Sequence, residues 1–329
     1  MRDYRAPRWL PGGNLQTIWG ATRSRRQLPE SAAPLRFVRE RWNTPDGDFI
    51  DVDNLEPVAP AARPPPRHLV LFHGLEGSTQ SSYAQAFAAI ARQRGWAYSV
   101  PHFRGCSGEL NLAPRAYHSG DFEEIGWILR RLRARSPAPL LVVGVSLGGN
   151  ALLRWAQEAG DSARTVAACV AAVSSPIDLA AAGRAIDQGF NWLVYSRMFL
   201  ATMKPKALAK WQQHPGLFDR ERLAAARTLF DFDNIFTAPL HGYRDTPDYW
   251  ARASAKPHLE RVRIPALVLN ARNDPFVPGP SLPASAEVGR FVTLWQPEEG
   301  GHVGFPHGGF PSHVLAMPQA VSDWLIEHA

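Results

Sequence analysis

The pentapeptide Gly144-Val145-Ser146-Leu147-Gly148 constrains this chain more than any other stretch. The apolar run Leu140-Leu141-Val142-Val143 precedes it, and helix-forming residues 150–158 follow. Strand, G-x-S-x-G turn and helix are the context in which this motif forms a nucleophile elbow. The sharp turn strains the backbone of its central residue and lifts the serine hydroxyl off the sheet edge. Glycines flank it because a Cβ on either side would meet the neighbouring strand or helix. A bare G-x-S-x-G also occurs as a tight connection with an incidental serine. The flanking strand and helix favour Ser146 as a nucleophile.

An elbow needs a sheet, and the rest of the chain supplies the strands. Residues 35–42 and 49–55 read as a hairpin around Pro45-Asp46-Gly47-Asp48. A proline-rich link (57–66) leads to strand 68–72, helix 80–94, strand 96–103 and helix 120–135. After the elbow come strands 166–173, 264–270 and 291–295, and an amphipathic helix over 312–328. Strands alternating with helices predict an α/β fold, a mostly parallel twisted sheet flanked by helices. The alternation stops between Val173 and Ile264, where a helical segment carries Trp192, Tyr195, Phe199, Phe236, Tyr249, Trp250 and other aromatics. An insertion of that size is a lid or a small subdomain. Residues 1–175 and 261–329 are therefore expected to form the core, with 176–260 as an inserted helical lid. Its aromatics should mostly pack on one another, a few lining an acyl pocket.

Of the 329 residues, 36 are basic and 30 acidic, a net charge of +6. The clusters Arg23-Ser24-Arg25-Arg26 and Arg130-Arg131-Leu132-Arg133 read as solvated surface, so no nucleic-acid partner is expected. The second also complements a helix C-terminus. Two cysteines, Cys106 and Cys169, give no disulfide framework. The first residues lack the apolar run of a signal peptide, and no apolar stretch is long enough to span a bilayer. These features predict a cytoplasmic protein whose only membrane contact is weak and peripheral.

A serine hydroxyl needs a histidine to take its proton and a carboxylate to orient that histidine. In elbow sites the chain order is serine, acid, histidine. Asp274 lies just past strand 264–270, on the rim that the nucleophile occupies. Its competitor, Asp178, fits better as a helix cap. His302 stands first after the last strand, in Glu299-Gly300-Gly301-His302; His307 and His313 are nearby alternatives. An oxyanion hole needs two backbone N–H groups. Leu147, following the nucleophile, and Leu75, in His73-Gly74-Leu75-Glu76-Gly77, are the candidates. His73 and Gly74 then support the loop, His73 as a fixing side chain rather than a catalyst. Ser119 and Asp121 read as caps of the helix that follows them. Metal-ligand spacing and a dinucleotide fingerprint are both missing, so neither a metal nor a cofactor is expected.

Several motifs together resemble the YheT-like branch of the α/β-hydrolases. They are His73-Gly74-Leu75-Glu76-Gly77-Ser78, His102-Phe103-Arg104-Gly105-Cys106-Ser107-Gly108, Tyr117-His118-Ser119-Gly120 and Gly144 to Asn150 around the elbow. Asn273-Asp274-Pro275-Phe276 and Gly300-Gly301-His302-Val303-Gly304-Phe305 belong to the same set, as do Trp9 to Thr17 and Thr237 to Tyr243. The branch pattern has a histidine where Asn14 stands here. It includes yeast medium-chain ethyl ester synthase/esterases and mammalian ABHD-type lipid hydrolases. The resemblance implies carboxylic-ester hydrolysis by Ser146, Asp274 and His302. The expected substrate is a small-molecule ester with a short- to medium-chain acyl group. A lipase or phospholipase, a thioesterase or an ester-forming acyltransferase would use the same machinery. A non-catalytic binding module is the rival from another class, and such a module need not keep all three groups.

Overall fold

The computed structural model describes residues 1–22, 34–57, 64–137 and 139–329. Its eight strands are β1 (Phe37–Asn43), β2 (Phe49–Leu55), β3 (His68–Phe72), β4 (Ala97–Pro101), β5 (Leu140–Val145), β6 (Ala167–Val173), β7 (Ala266–Leu269) and β8 (Val292–Trp295). They form one sheet in the order β1-β2-β4-β3-β5-β6-β7-β8. β2 runs antiparallel to both neighbours and every other pairing is parallel. The chain order reverses direction across the sheet between β3 and β5. In an open parallel sheet, the crevice beyond the strands' carboxyl ends at that point is where ligands bind. Ser146 and the loop from His73 to Gly77 both emerge there.

The central strands read as unbroken apolar runs because both faces are covered. Val70, Phe72, Leu140 and Val142 pack on α3 (Phe122–Arg135) and α4 (Leu147–Ala159). Leu69, Leu71, Leu141 and Val143 pack on α2 (Ser82–Gln93) and α8 (Ala316–Glu327). Ahead of the sheet, α1 (Gly13–Thr22) lies across the loops that follow β7 and β8.

Between β6 and β7 the chain forms helices joined by turns, with no strand among the described residues. α5 (Leu179–Ile186), α6 (Arg197–Gln213) and α7 (Thr246–Ala253) are its longer members. Two π-helical turns, Trp192–Ser196 and Asp233–Thr237, interrupt it. Such turns are rare and recur at functional sites. Phe218, Phe232 and Phe236 pack on Leu200 and Leu223 in a core of the insertion's own.

Several boundaries differ from the sequence expectation. The elbow helix starts at Leu147, directly after Ser146, not at Asn150. The last helix starts at Ala316, because His307 and His313 first pair in an isolated β-bridge. Asp121 occupies the N-cap of α3 without bonding its backbone. Its carboxylate goes to Arg115 instead, since a charged donor binds more strongly than an amide. Ser119 accepts from Asn150 through both its Oγ and its carbonyl rather than capping the helix. The Arg23–Arg26 cluster and most of the proline-rich link lie outside the described residues.

Candidate active site

Ser146 stands between β5 and α4 at φ +53°, ψ −122°. L-residues rarely adopt that conformation, and holding one there costs on the order of 1–3 kcal/mol. The flanking glycines pack without slack. A Cβ on Gly144 would lie 2.5 Å from the Gly148 carbonyl oxygen, and one on Gly148 would lie 2.5 Å from the His73 carbonyl oxygen. The turn is therefore wedged against both its own helix and the loop after β3.

Ser146 Oγ lies 3.0 Å from His302 Nε2, and His302 Nδ1 lies 2.9 Å from Asp274 Oδ2. An ionised carboxylate only accepts, so Nδ1 carries the proton and Nε2 is left to receive the serine hydrogen. The Asp274 side chain is fully buried, and its other oxygen accepts from the Phe276 and Val277 amides at 2.8 and 3.2 Å. Phe276 also packs its ring 4.3 Å from that of His302.

The rival residues are engaged elsewhere. Asp178 accepts from the Ala181 amide at 2.9 Å and caps α5. His307 and His313 exchange backbone bonds with each other.

The N–H groups of Leu75 and Leu147 have no acceptor among the described residues. Both residues line the cavity that holds Ser146 and His302. The loop carrying Leu75 is fixed on all sides. His73 donates from Nδ1 to the Gly74 carbonyl at 2.8 Å and accepts the Phe103 amide at Nε2 at 3.1 Å. Complete burial pushes its pKa down to about 3, so it is neutral and acts as a strut. Gly74 N–H donates to Tyr83 at 2.9 Å. Glu76, at φ +56°, donates its amide to the Tyr117 hydroxyl, which donates in turn to the Glu76 carboxylate at 2.8 Å. Lys206 of α6 pairs with the same carboxylate at 2.8 Å.

Two cavities meet at this point. The one with Ser146 and His302 is walled by Leu179, Ala182, Ile186, Phe199, Trp250 and Phe276. The second shares Leu75, Leu147, Met203, Asp233 and Tyr249 with it, and adds Glu76, Lys206 and Lys210. Asp233 opens onto both and accepts from Trp250 Nε1 at 2.9 Å. Burial raises its pKa to about 6.

Sequence reasoning did not anticipate Tyr83, Lys206 or Asp233, and Tyr117 stood only within a motif of the family resemblance, with no role given to it. They act through contacts formed by folding, and no local spacing announces them. Asn150 did carry a signal, as the residue two past the elbow pentapeptide. Its amide spans α4, Ser119, Ala253 and Ala255, which ties the elbow helix to the end of the insertion.

The sequence profile of the α/β hydrolase fold family matches residues 67–308. The chain belongs to this family. It is 39% identical over 289 residues to YheT of Escherichia coli, which bears the name esterase, covering 87% of this chain and 84% of that one. That likeness agrees with the branch to which the motifs pointed. Human phospholipase ABHD3 is 29% identical over 334 residues, covering 97% and 78%. Mouse alpha/beta hydrolase domain-containing protein 10 has the same fold, with a TM-score of 0.54 at 14% identity over 90% of this α/β hydrolase and 100% of its own chain. No described helix of this α/β hydrolase is long and apolar enough to cross a membrane.

Proposed function

We propose that this α/β hydrolase is a serine carboxylesterase acting on short- to medium-chain acyl esters. The observation that carries the reading is the hydrogen-bonded chain from Ser146 through His302 to Asp274, set at the head of an apolar cavity. His302 Nε2 takes the proton from Ser146 as Oγ attacks the ester carbonyl carbon. The carbonyl oxygen becomes an oxyanion, received by the N–H groups of Leu75 and Leu147. The C–O bond to the alcohol then breaks, and His302 returns its proton to the leaving alkoxide. Water, deprotonated by His302, attacks the acyl-enzyme and frees the acid and Ser146. Asp274 keeps the imidazole in its tautomer and stabilises its charged form.

In the same reading, residues 1–175 and 261–329 form the catalytic core, and 176–260 form a lid that shapes the acyl pocket. The two cysteines are free and buried, which fits a cytoplasmic setting.

Esters of a polar alcohol, such as glycerol-based lipids, make a second reading. It is favoured by the second cavity, whose wall carries Glu76, Lys206 and Lys210.

A fluorophosphonate probe should label the purified protein and fail to label Ser146→Ala, and that variant should lose at least about 10⁴-fold in p-nitrophenyl ester turnover. Esterase activity surviving in Ser146→Ala would sink the proposal. An acyl-length series compared with glycerol-based lipids separates the two readings. Product diverted to a new ester by added alcohol would reassign the enzyme to acyl transfer.

A further inference from the structure

The acid and base of the proposed triad sit on separate loops, after β7 and after β8. Neither loop alone fixes where its side chain meets the other. Both are bonded to the same helix, α1, which lies ahead of the stretch 67–308 that matches the family profile.

Gln16 is completely buried, and its side chain serves three segments. Its Oε1 accepts from the Gly300 amide at 2.8 Å and from Asn273 Nδ2 at 3.1 Å. Its Nε2 donates to the Leu10 carbonyl at 2.9 Å. Asn273, directly before Asp274, closes the circuit by accepting the Gly301 amide at 3.0 Å. Thr17 Oγ1 accepts the backbone N–H of His302 itself at 2.8 Å and donates to the Gly13 carbonyl at 2.7 Å. Asn14 then takes a hydrogen bond from Tyr195 of the insertion at 2.9 Å.

Backbone contact is equally close. A Cβ on Gly13 would fall 1.8 Å from the Asn273 carbonyl oxygen, and one on Gly304 would fall 2.2 Å from that of Gln16. At these separations the helix and the two loops have no room to slide past one another.

We infer that α1 is a clamp that sets the separation of Asp274 and His302, with Gln16 and Thr17 as positioning residues. Thr17 holds the base from its backbone, and Gln16 holds the segments flanking both acid and base. Neither touches the reacting atoms. A displacement of about 1 Å at the reacting groups lowers turnover by on the order of a hundredfold, so the clamp acts on rate. Substrate binding, governed by the insertion's cavity walls, is left largely unchanged.

The inference rests on the serine-hydrolase reading, and its test separates the two. Thr17→Val and Gln16→Met remove the acceptors while keeping side-chain size. Turnover is measured per active site, titrated with the fluorophosphonate probe, so that misfolded molecules are not counted. The expected result is a kcat per site lower by about 10- to 100-fold, with KM within about twofold. Thr17→Ser, which keeps the hydroxyl, should recover most of the rate. Thr22→Val, at the exposed end of the same helix, should match the wild type. Wild-type kcat per site in both Thr17→Val and Gln16→Met overturns the clamp while leaving the serine reading intact. A wild type that the probe never labels overturns both.

Discussion

The elbow and the insertion are built to opposite standards. Every residue of β5 is buried, and ten of the thirteen residues of α4 are buried with it. Around Ser146 a single added methyl would collide with backbone on either side. In α6, by contrast, only Leu200, Ala207 and Lys210 of seventeen residues are buried, and Pro205 stands inside the helix. The insertion's own core is small and built largely of aromatic contacts, and two π-turns interrupt its helices. A close-packed region cannot absorb a change of volume, whereas a loosely buried one can. Fixed chemistry suits the first and adjustable selection suits the second.

Three substitutions would break or sharpen this contrast. Asp274→Asn preserves volume but leaves His302 in the wrong tautomer, so kcat should fall by about 10⁴-fold with little change in melting temperature. Steady-state kinetics beside a thermal melt checks it, and a loss below tenfold would remove Asp274 from the triad.

Asp233→Asn probes the insertion's half-buried carboxyl. A pKa raised from 3.8 to about 6 means the folded state favours the protonated form. The stability it contributes is complete below pH 3.8 and lost as pH rises through 6. The neutral asparagine should therefore be indistinguishable from wild type below pH 4 and more stable above pH 6, by on the order of 1–3 kcal/mol. Urea unfolding at both pH values reads this directly, and equal stabilities at pH 7.5 would refute it.

Ala182→Leu adds bulk to the apolar cavity wall. It should lower kcat/KM for p-nitrophenyl octanoate about tenfold, with acetate changed less than about threefold. Equal effects on both esters would mean that this cavity does not hold the acyl chain.

How much could be read in advance follows from how far apart the partners lie. The central strands of the sheet announced themselves as unbroken apolar runs, because they are covered on both faces. The elbow was legible because strand, glycines and helix are contiguous, so local sterics write the motif. Asp274 and His302 were nameable from position, since each follows a strand in an order the elbow dictates. Gln16 and Thr17 stood in a motif of the family resemblance, but their role was not legible, for their partners are 257 to 285 residues away. Asp121 was misread for a related reason. Its cap position was local and visible, but the guanidinium of Arg115 that claims its carboxylate comes from a loop.

The backbone at Ser146 has the angles of the first central residue in a type II′ turn, a place that glycine fills without strain. A glycine there would relax the turn and remove the hydroxyl together. If Ser146 is the proposed nucleophile, relaxing this one torsion would cost the chain its activity. In the proposed reading, the serine at this torsion trades folding stability for reactivity.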